Sequence, residues 1–293
     1  MITLKAFAKI NLFLEVTRRR ADGYHDLVTL FARIGVSDRL SLRKTAAPGI
    51  KLLVEGGPRG LCRPEENIVF KAAAEFFKVF GLSPAVEIKL KKNIPVGAGL
   101  GGGSSDAAAA LLGLARLYAL PRGAAGRLLK IAAGLGSDVP FFMLETRMAE
   151  GAGRGEKLKV LEPAGRAPHI VLVYPGTPVY TKEVYRSLRL GTKREIFGRL
   201  RDFNKLRGQI KGGGFAAGRA GALFNRLEDP VLPRYKAVRL AKEGLVKLGA
   251  GSALMSGSGA SVFGLFRSRA KAALAAAEMG RVRGCTVFLT KFC

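Results

Sequence analysis

The stretch IPVGAGLGGGSSDAAAALLGL, residues 94–114, places Gly97, Gly99, Gly101, Gly102 and Gly103 directly before an alanine-rich segment. Glycine gives up the most backbone freedom on folding, so a run this dense implies a backbone that must come close to something. Closely spaced glycines present their N–H groups without obstruction by Cβ, and Ser104, Ser105 or Asp106 can cap the helix that the alanines begin. That helix directs roughly half a positive charge at the loop. Together these features make a cradle for phosphate, with serine hydroxyls available to a phosphate oxygen or to Mg2+. Two further residues could act on what the cradle holds. Asp138, in GLGSDVPFFM, is the first acid after Asp106, and its setting ahead of Pro140, Phe141 and Phe142 favours partial burial. It fits a helix N-cap with proline in the first turn, or a base that takes a proton from an alcohol. Lys9, among the apolar residues of AFAKINLFLEV, would keep that carboxylate ionised and touch a phosphoryl oxygen.

Two other glycine loops are excluded. Gly97, Gly99 and Gly102 satisfy G-x-G-x-x-G, but a dinucleotide loop follows a continuously apolar strand and needs an acid about 20 residues further on. Here AVEIKLKKNI alternates with lysines, Pro95 intervenes, and neither Asp nor Glu occurs between Ala107 and Ser137. The nucleoside-triphosphate P-loop requires a lysine after its last glycine, and none follows Gly103.

The elements that must position these residues mix strands with helices. AFAKINLFLEV alternates, with Ala8, Ile10, Leu12, Leu14 and Val16 on one face and Lys9, Asn11 and Glu15 on the other, which predicts a half-buried strand. Asp22-Gly23 signals a turn, and LVTLFARIGV reads as a second strand. Residues 65–80 have helical spacing with Gly81 as the stop. AVEIKLKKNI alternates again, with Val86, Ile88 and Leu90 inward. The strands of this half read as antiparallel and one-sided, and the whole as α+β. Beyond it come a strand at 169–174, a basic, glycine-rich connector to about residue 221 and a helix at about 234–248. A strand pair within GSALMSGSGASVFGLF and a closing helix from about Arg267 complete the chain. A boundary near residue 160 divides it into 1–160 and 161–293.

At 293 residues the chain is long enough for one large or two medium domains. Its 49 Lys and Arg against 22 Asp and Glu give a net charge of +27, a field that attracts nucleic acid, acidic lipid or phosphorylated small molecules. No nucleic-acid module is recognisable, so no specific nucleic-acid partner is expected. Cys62, Cys285 and Cys293 lack metal-ligand spacing and are odd in number, which argues against a disulfide framework and for a reducing, cytoplasmic setting. The N-terminus carries Lys5, Lys9 and Glu15 and forms no apolar leader. The longest uncharged run, Leu248 to Phe266, has nine Gly or Ser among nineteen residues and reads as strands and a loop, so no membrane association is expected.

PVGAGLGGGSSDAAAAL resembles the ATP-binding motif of the GHMP kinase superfamily, and LMSGSGASVFGLF (254–266) its C-terminal glycine motif. AKINLFLEVTRRRADGYHDL (8–27), LGSDVPFFM and AEGAGRGEKL are similar to one branch, whose members phosphorylate a cytidine-diphosphate-linked methylerythritol. The resemblance implies a two-domain GHMP kinase fold, its N-terminal domain like domain 2 of ribosomal protein S5 and its C-terminal domain ferredoxin-like, with the active site in the cleft between. It implies transfer of the ATP γ-phosphoryl to the 2-hydroxyl of that substrate, with Asp138 as catalytic base and Lys9 as the adjacent catalytic lysine. Pro95, Val96, Gly97, Ala98, Gly99, Leu100, Gly101, Gly102, Gly103, Ser104 and Ser105 would cradle the ATP phosphates. Asn11 and Asp138 would contact the erythritol part. Tyr24 and His25 match the residues that hold the cytosine, one by stacking and one by hydrogen bonds, with Tyr185 of YTKEVY as a second aromatic wall. The basic connector 186–219 matches no functional motif and is expected to be solvated surface that steers anionic substrates. No acid stands out as a dedicated Mg2+ ligand, so ATP, water and Ser104 or Ser105 would hold the metal.

Overall fold

The structure is a computed structural model and describes residues 1–57, 63–215 and 223–293. It divides into two compact units assembled from interleaved segments. The first comprises Met1–Ala8, Val36–Val96 and Gly101–Glu145; the second comprises Lys9–Gly35, Gly97–Leu100 and Thr146–Cys293. Two long strands, β1 (Ile2–Arg19) and β2 (His25–Lys44), are each divided between the units. The turn joining them at residues 20–24 has Gly23 at φ 83°, as the Asp-Gly signal requires.

In the first unit, β2 pairs antiparallel with β4 (Ala85–Lys91), with Leu40 opposite Leu90 and Leu42 opposite Ile88. β4 in turn pairs with β3 (Gly49–Glu55), and here the pairing is parallel, contrary to the antiparallel reading of this half. The reason is α1 (Ile68–Phe80), which lies between β3 and β4 in the chain and supplies the crossover a parallel pair needs. Asn67 caps α1 by accepting from Val69 N–H, and Gly81, at φ 65°, ends it. Its buried face is Val69, Ala72, Ala73, Phe76 and Phe77, the 3.6-residue stripe legible in the sequence. Two more helices pack with it, α2 (Gly102–Leu117) and α3 (Ala125–Leu135), and α4 (Val139–Met143) packs on both of these.

In the second unit, β5 (Met148–Ala152) joins β2 to β6 (Lys157–Val160), and β8 (Phe224–Asn225) lies parallel to β1. A second sheet contains β7 (His169–Tyr174), β9 (Ser252–Met255), β10 (Val262–Phe266) and β11 (Thr286–Thr290) in the order β11-β7-β10-β9, antiparallel throughout. Ranked by sequence this is 4-1-3-2, and α8 (Lys236–Lys247), which follows the short α7 (Glu228–Val231), and α9 (Arg269–Gly280) pack against it, which is the expected ferredoxin-like arrangement. Val238, Ala241 and Leu245 of α8 and Ala272, Ala275 and Met279 of α9 join Val171, Val173, Val262 and Phe266 in one core.

Two expectations are corrected. β1 is not half-buried: residues 8–16 are all buried, Lys9, Asn11 and Glu15 included, because each of these polar side chains has found partners inside the second unit. The connector 186–219 is largely helical as far as it is described, with residues 216–219 outside the described residues. α5 (Thr181–Ser187) runs into it, and α6 (Lys193–Lys211) is built within it. Thr192 and Glu195 form a reciprocal capping box, and Phe203, Leu206 and Ile210 bury one face of α6 while Lys193, Arg194, Arg201, Lys205 and Lys211 are exposed. Among the described residues no helix is long and apolar enough to cross a membrane. Cys285 and Cys293 are free thiols; Cys62 lies outside the described residues.

Candidate active site

The glycine loop belongs to both units, and each part shows why side chains are absent from it. Gly97, Gly99 and Gly101 have φ of 66°, 74° and 67°, the left-handed region that other residues enter at a cost. A Cβ on Gly99 would lie 2.1 Å from the Ser256 carbonyl oxygen. That close approach is held by hydrogen bonds: Ser256 Oγ donates to Gly99 O (2.9 Å) and Ser261 N–H to Ala98 O (3.1 Å). The two glycine motifs of the sequence are thus one construction in the second unit.

Lys9 enters the same construction. Its backbone N–H donates to Leu100 O (2.9 Å), and its ammonium donates to Asn11 Oδ1 (2.7 Å). Asn11 Nδ2 donates to Thr29 Oγ1 (2.7 Å), whose hydroxyl donates to Phe13 O (2.7 Å). Phe31 lies beside the lysine, its ring centroid 5.5 Å from Nζ. Lys9 is 4 % exposed and Asn11 1 %, so the network fixes both side chains as well as hydrating groups would in water. Gly257 closes the site: a Cβ there would sit 3.3 Å from Lys9 Nζ and 3.4 Å from Asn11 Oδ1, at a residue with φ 54°.

The aromatic residues lie at the β1–β2 hairpin of the same unit. His25 packs on Tyr185 of α5, with ring centroids 5.1 Å apart and planes inclined by 33°. Tyr24 is half exposed, and the Arg154 guanidinium stands 4.9 Å over its ring. Arg18 and Arg20 pair with Asp26, and Arg20 also with Asp22, which fixes the hairpin. Burial, with Arg19 nearby, pushes the His25 imidazole below its ordinary value, so it is neutral at neutral pH. The structure brings His25 together with Tyr185, and Lys9 with Asn11 and residues 97–100.

The first unit carries Pro95, Val96, Gly101, Gly102, Gly103, Ser104, Ser105 and Asp138. Here the capping expectation is corrected. The N-cap of α2 is Gly101, no side chain caps it, and Ser104, Ser105 and Asp106 all lie inside the helix. The first backbone N–H groups of α2 are therefore left to a ligand, which suits an anion better than a serine cap would. Ser105 is buried at 2 % exposure and Ser104 is the more accessible hydroxyl. Asp138 occupies the N-cap position of α4, which packs on α2, but its side chain makes no capping bond.

Sequence reasoning missed a charged cluster behind this loop. Lys92, at the end of β4, donates to Asp38 and to Asp106 Oδ2 (2.7 Å), while Asp38 also accepts from Ile94 N–H (2.8 Å). One buried cation thereby ties the residues entering the glycine loop to the first turns of the helix leaving it. The pair KKN before the loop and SSD after it was the available signal, though nothing in residue type distinguished Lys92 from Lys91. Burial pushes the Asp106 carboxyl up to about 8, against the opposing pull of Lys92. A native-state value above the usual carboxylate value of about 4 means that the folded protein holds an extra proton, so this group makes stability fall as pH rises from about 4 to 8. Asp106→Asn is expected to lessen that fall. Thermal midpoints recorded from pH 5 to 8 test it, and equal slopes in variant and wild type would remove Asp106 as the titrating group.

Among the described residues no group of three or more His, Cys, Asp or Glu could hold a metal ion. A nucleotide-borne Mg2+ fits this donor set, because that ion keeps several waters and takes phosphate oxygens with one or two protein ligands.

The family model described as the GHMP kinases N terminal domain matches residues 67–146, and that for the GHMP kinases C terminal matches residues 208–282. A homoserine kinase from Cytophaga hutchinsonii has the same fold, with a TM-score of 0.74 at 18% identity over 99% of this chain and 95% of that one. Much nearer in sequence is the 4-diphosphocytidyl-2-C-methyl-D-erythritol kinase of Geobacter metallireducens, 41% identical over 92% of this chain and 91% of that protein. A crystal structure of a 4-(cytidine 5'-diphospho)-2C-methyl-D-erythritol kinase superposes with a TM-score of 0.79 at 35% identity, covering 100% of both chains. The chain belongs to the GHMP kinase superfamily and, within it, to the family of 4-diphosphocytidyl-2-C-methyl-D-erythritol kinases.

Proposed function

We propose that the protein transfers the γ-phosphoryl group of ATP to the 2-hydroxyl of 4-diphosphocytidyl-2-C-methyl-D-erythritol, a step of the non-mevalonate isoprenoid pathway. The observation that carries this reading is the buried Lys9–Asn11 pair, hydrogen-bonded at 2.7 Å against the left-handed backbone of the glycine loop. An ammonium held in place with little water near it stabilises developing phosphoryl charge without having to reorganise. Asp138 serves as the base that takes the proton of the attacking hydroxyl. Asn11 orients the erythritol part, and residues 95–105 with the open N-terminus of α2 cradle the phosphates of ATP. Ser104 or Ser105, together with the nucleotide itself, would hold Mg2+, which would supply charge neutralisation at the phosphates.

The neutral His25 imidazole supplies one donor and one acceptor to cytosine, and Tyr24 and Tyr185 supply stacking surfaces. We assign residues 1–160 and 161–293 as the two functional domains; the two family-model matches fall on either side of that division. A cytoplasmic setting, with small-molecule rather than nucleic-acid or membrane partners, follows from the same reading.

The test is a panel of alcohol acceptors with product masses. Phosphorylation of the cytidylyl polyol and not of homoserine is expected, and the reverse would overturn the assignment. Within the panel, Tyr24→Ala is expected to raise KM for the cytidylyl substrate by the equivalent of about 1–3 kcal/mol of lost stacking and to leave KM for ATP nearly unchanged. A variant that weakens ATP instead would place Tyr24 on the adenine side.

A further inference from the structure

Asn225 lies outside every motif and role described above. It is 1 % exposed, and its side chain uses both of its donors and its carbonyl oxygen on backbone groups. Nδ2 donates to Met255 O (2.8 Å) and to Gly257 O (2.7 Å), and Oδ1 accepts from Leu227 N–H (3.0 Å). The turn it grips is the one that meets the rest of the site. Ser256, between the two gripped carbonyls, holds Gly99 O; Gly257 lies against Lys9 and Asn11; Ser258 shares a hydrogen bond with Thr181, at the start of the helix that carries Tyr185.

The segment carrying Asn225 is itself fixed to the catalytic strand. Phe224 and Asn225 pair in register with Phe13 and Leu14 of β1, and Arg226 N–H donates to Leu14 O (2.8 Å). The Arg226 guanidinium grips both oxygens of buried Glu15, at 2.8 Å each. Glu228 Oε1 accepts from Met255 N–H (2.9 Å), a second hold on the same turn. Residues 224–228 therefore act as a gauge between two elements far apart in sequence, the strand bearing Lys9 and Asn11 and the glycine turn facing them.

We propose that Asn225 is a positioning residue for phosphoryl transfer, its side-chain amide holding the 255–257 turn where it fixes both the 97–100 backbone and the Lys9 ammonium. This rests on the kinase reading above. The decisive variant is Asn225→Asp, which keeps size, shape and the acceptor for Leu227 N–H but removes the donor that both carbonyls share. Losing a buried donor of this kind is expected to raise KM for ATP and lower kcat, each by roughly tenfold, while KM for the cytidylyl substrate stays within about twofold. Asn225→Ala should do the same. The thermal midpoint and the folded fraction are measured alongside. A structural role alone would lower apparent kcat in proportion to the folded fraction and leave both KM values unmoved, and that outcome overturns the proposal.

Calorimetric affinity for adenylyl imidodiphosphate, a non-hydrolysable ATP analogue, is the second readout. A roughly tenfold weakening in Asn225→Asp is expected if the phosphate backbone has shifted; unchanged affinity overturns the proposal. Wild-type protein that fails to phosphorylate the cytidylyl polyol defeats the functional reading instead, and the analogue affinity still decides the role of Asn225.

Discussion

Replacing Asp138 by asparagine is expected to lower kcat by about 10²–10⁴-fold, the usual contribution of a positioned general base, while KM for either substrate moves far less. The substitution preserves shape and removes a carboxylate from the start of α4. Asp138 stands at the N-cap position of that helix, and its side chain makes no capping bond there. Phosphoryl-transfer transition states are loose, so the attacking hydroxyl has formed little bond to phosphorus, its proton need not leave early, and the loss should sit toward the low end of the range. Single-turnover rates at saturating ATP separate this from an effect on product release. A variant with near-normal kcat would return Asp138 to the role of a structural residue and send the search for the base elsewhere.

Gly99→Ala is the second large effect. Its added methyl would lie 2.1 Å from the Ser256 carbonyl oxygen and 2.9 Å from that of Gly259, on a backbone at φ 74°. The left-handed conformation alone costs alanine about 1–2 kcal/mol. The contact with Ser256 cannot be relieved by rotating a side chain, because both partners are backbone, so the loop must move. Backbone donors aimed at developing charge are each worth about 10²–10³ in rate, and a displaced loop is expected to cost at least about 10²-fold in kcat/KM for ATP. The same constant for the cytidylyl substrate at saturating ATP should fall through kcat alone. If kcat/KM for ATP survives, residues 97–100 are not the phosphate cradle.

How far these features were legible differs by the kind of physics involved. The glycine loop was readable because glycine at a left-handed position has no substitute, and the sequence therefore declares it. α1 and β4 were readable because each has one apolar face at the right period. β1 defeated the same rule. Its alternation was real, but Lys9, Asn11 and Glu15 are buried as well: Lys9 bonds to Asn11, and Asn11 and Glu15 bond to Thr29 and Arg226, distant in sequence, and periodicity carries no information about partners. α6 was hidden by composition: the basic residues of the connector drew attention from the Thr192–Glu195 capping box and from the 203, 206, 210 spacing, both present in the residues. β11 is short and half exposed, so TVFLT gave too little pattern to call, yet it completes the sheet order of the ferredoxin-like layer. Within the site, Lys9 and Asp138 were picked out by their settings in the sequence and given their roles by resemblance to a family, while the hairpin aromatics came from the resemblance alone. Lys92 and Asn225 came only from coordinates, since their roles lie in what they hold rather than in their own residue types.

The complete burial of β1 from Ala8 to Val16 bears on how the enzyme loses activity. Amide groups in a strand closed in this way exchange with solvent only through the largest openings of a protein, those that approach global unfolding. Lys9 and Asn11 hang from that buried segment, whereas catalytic side chains commonly ride on loops that open at small free-energy cost. Partial fraying of helices or hairpins therefore leaves Lys9 where it is. Heat inactivation and cooperative unfolding become the same event, and catalytic turnover reports the integrity of the inner sheet.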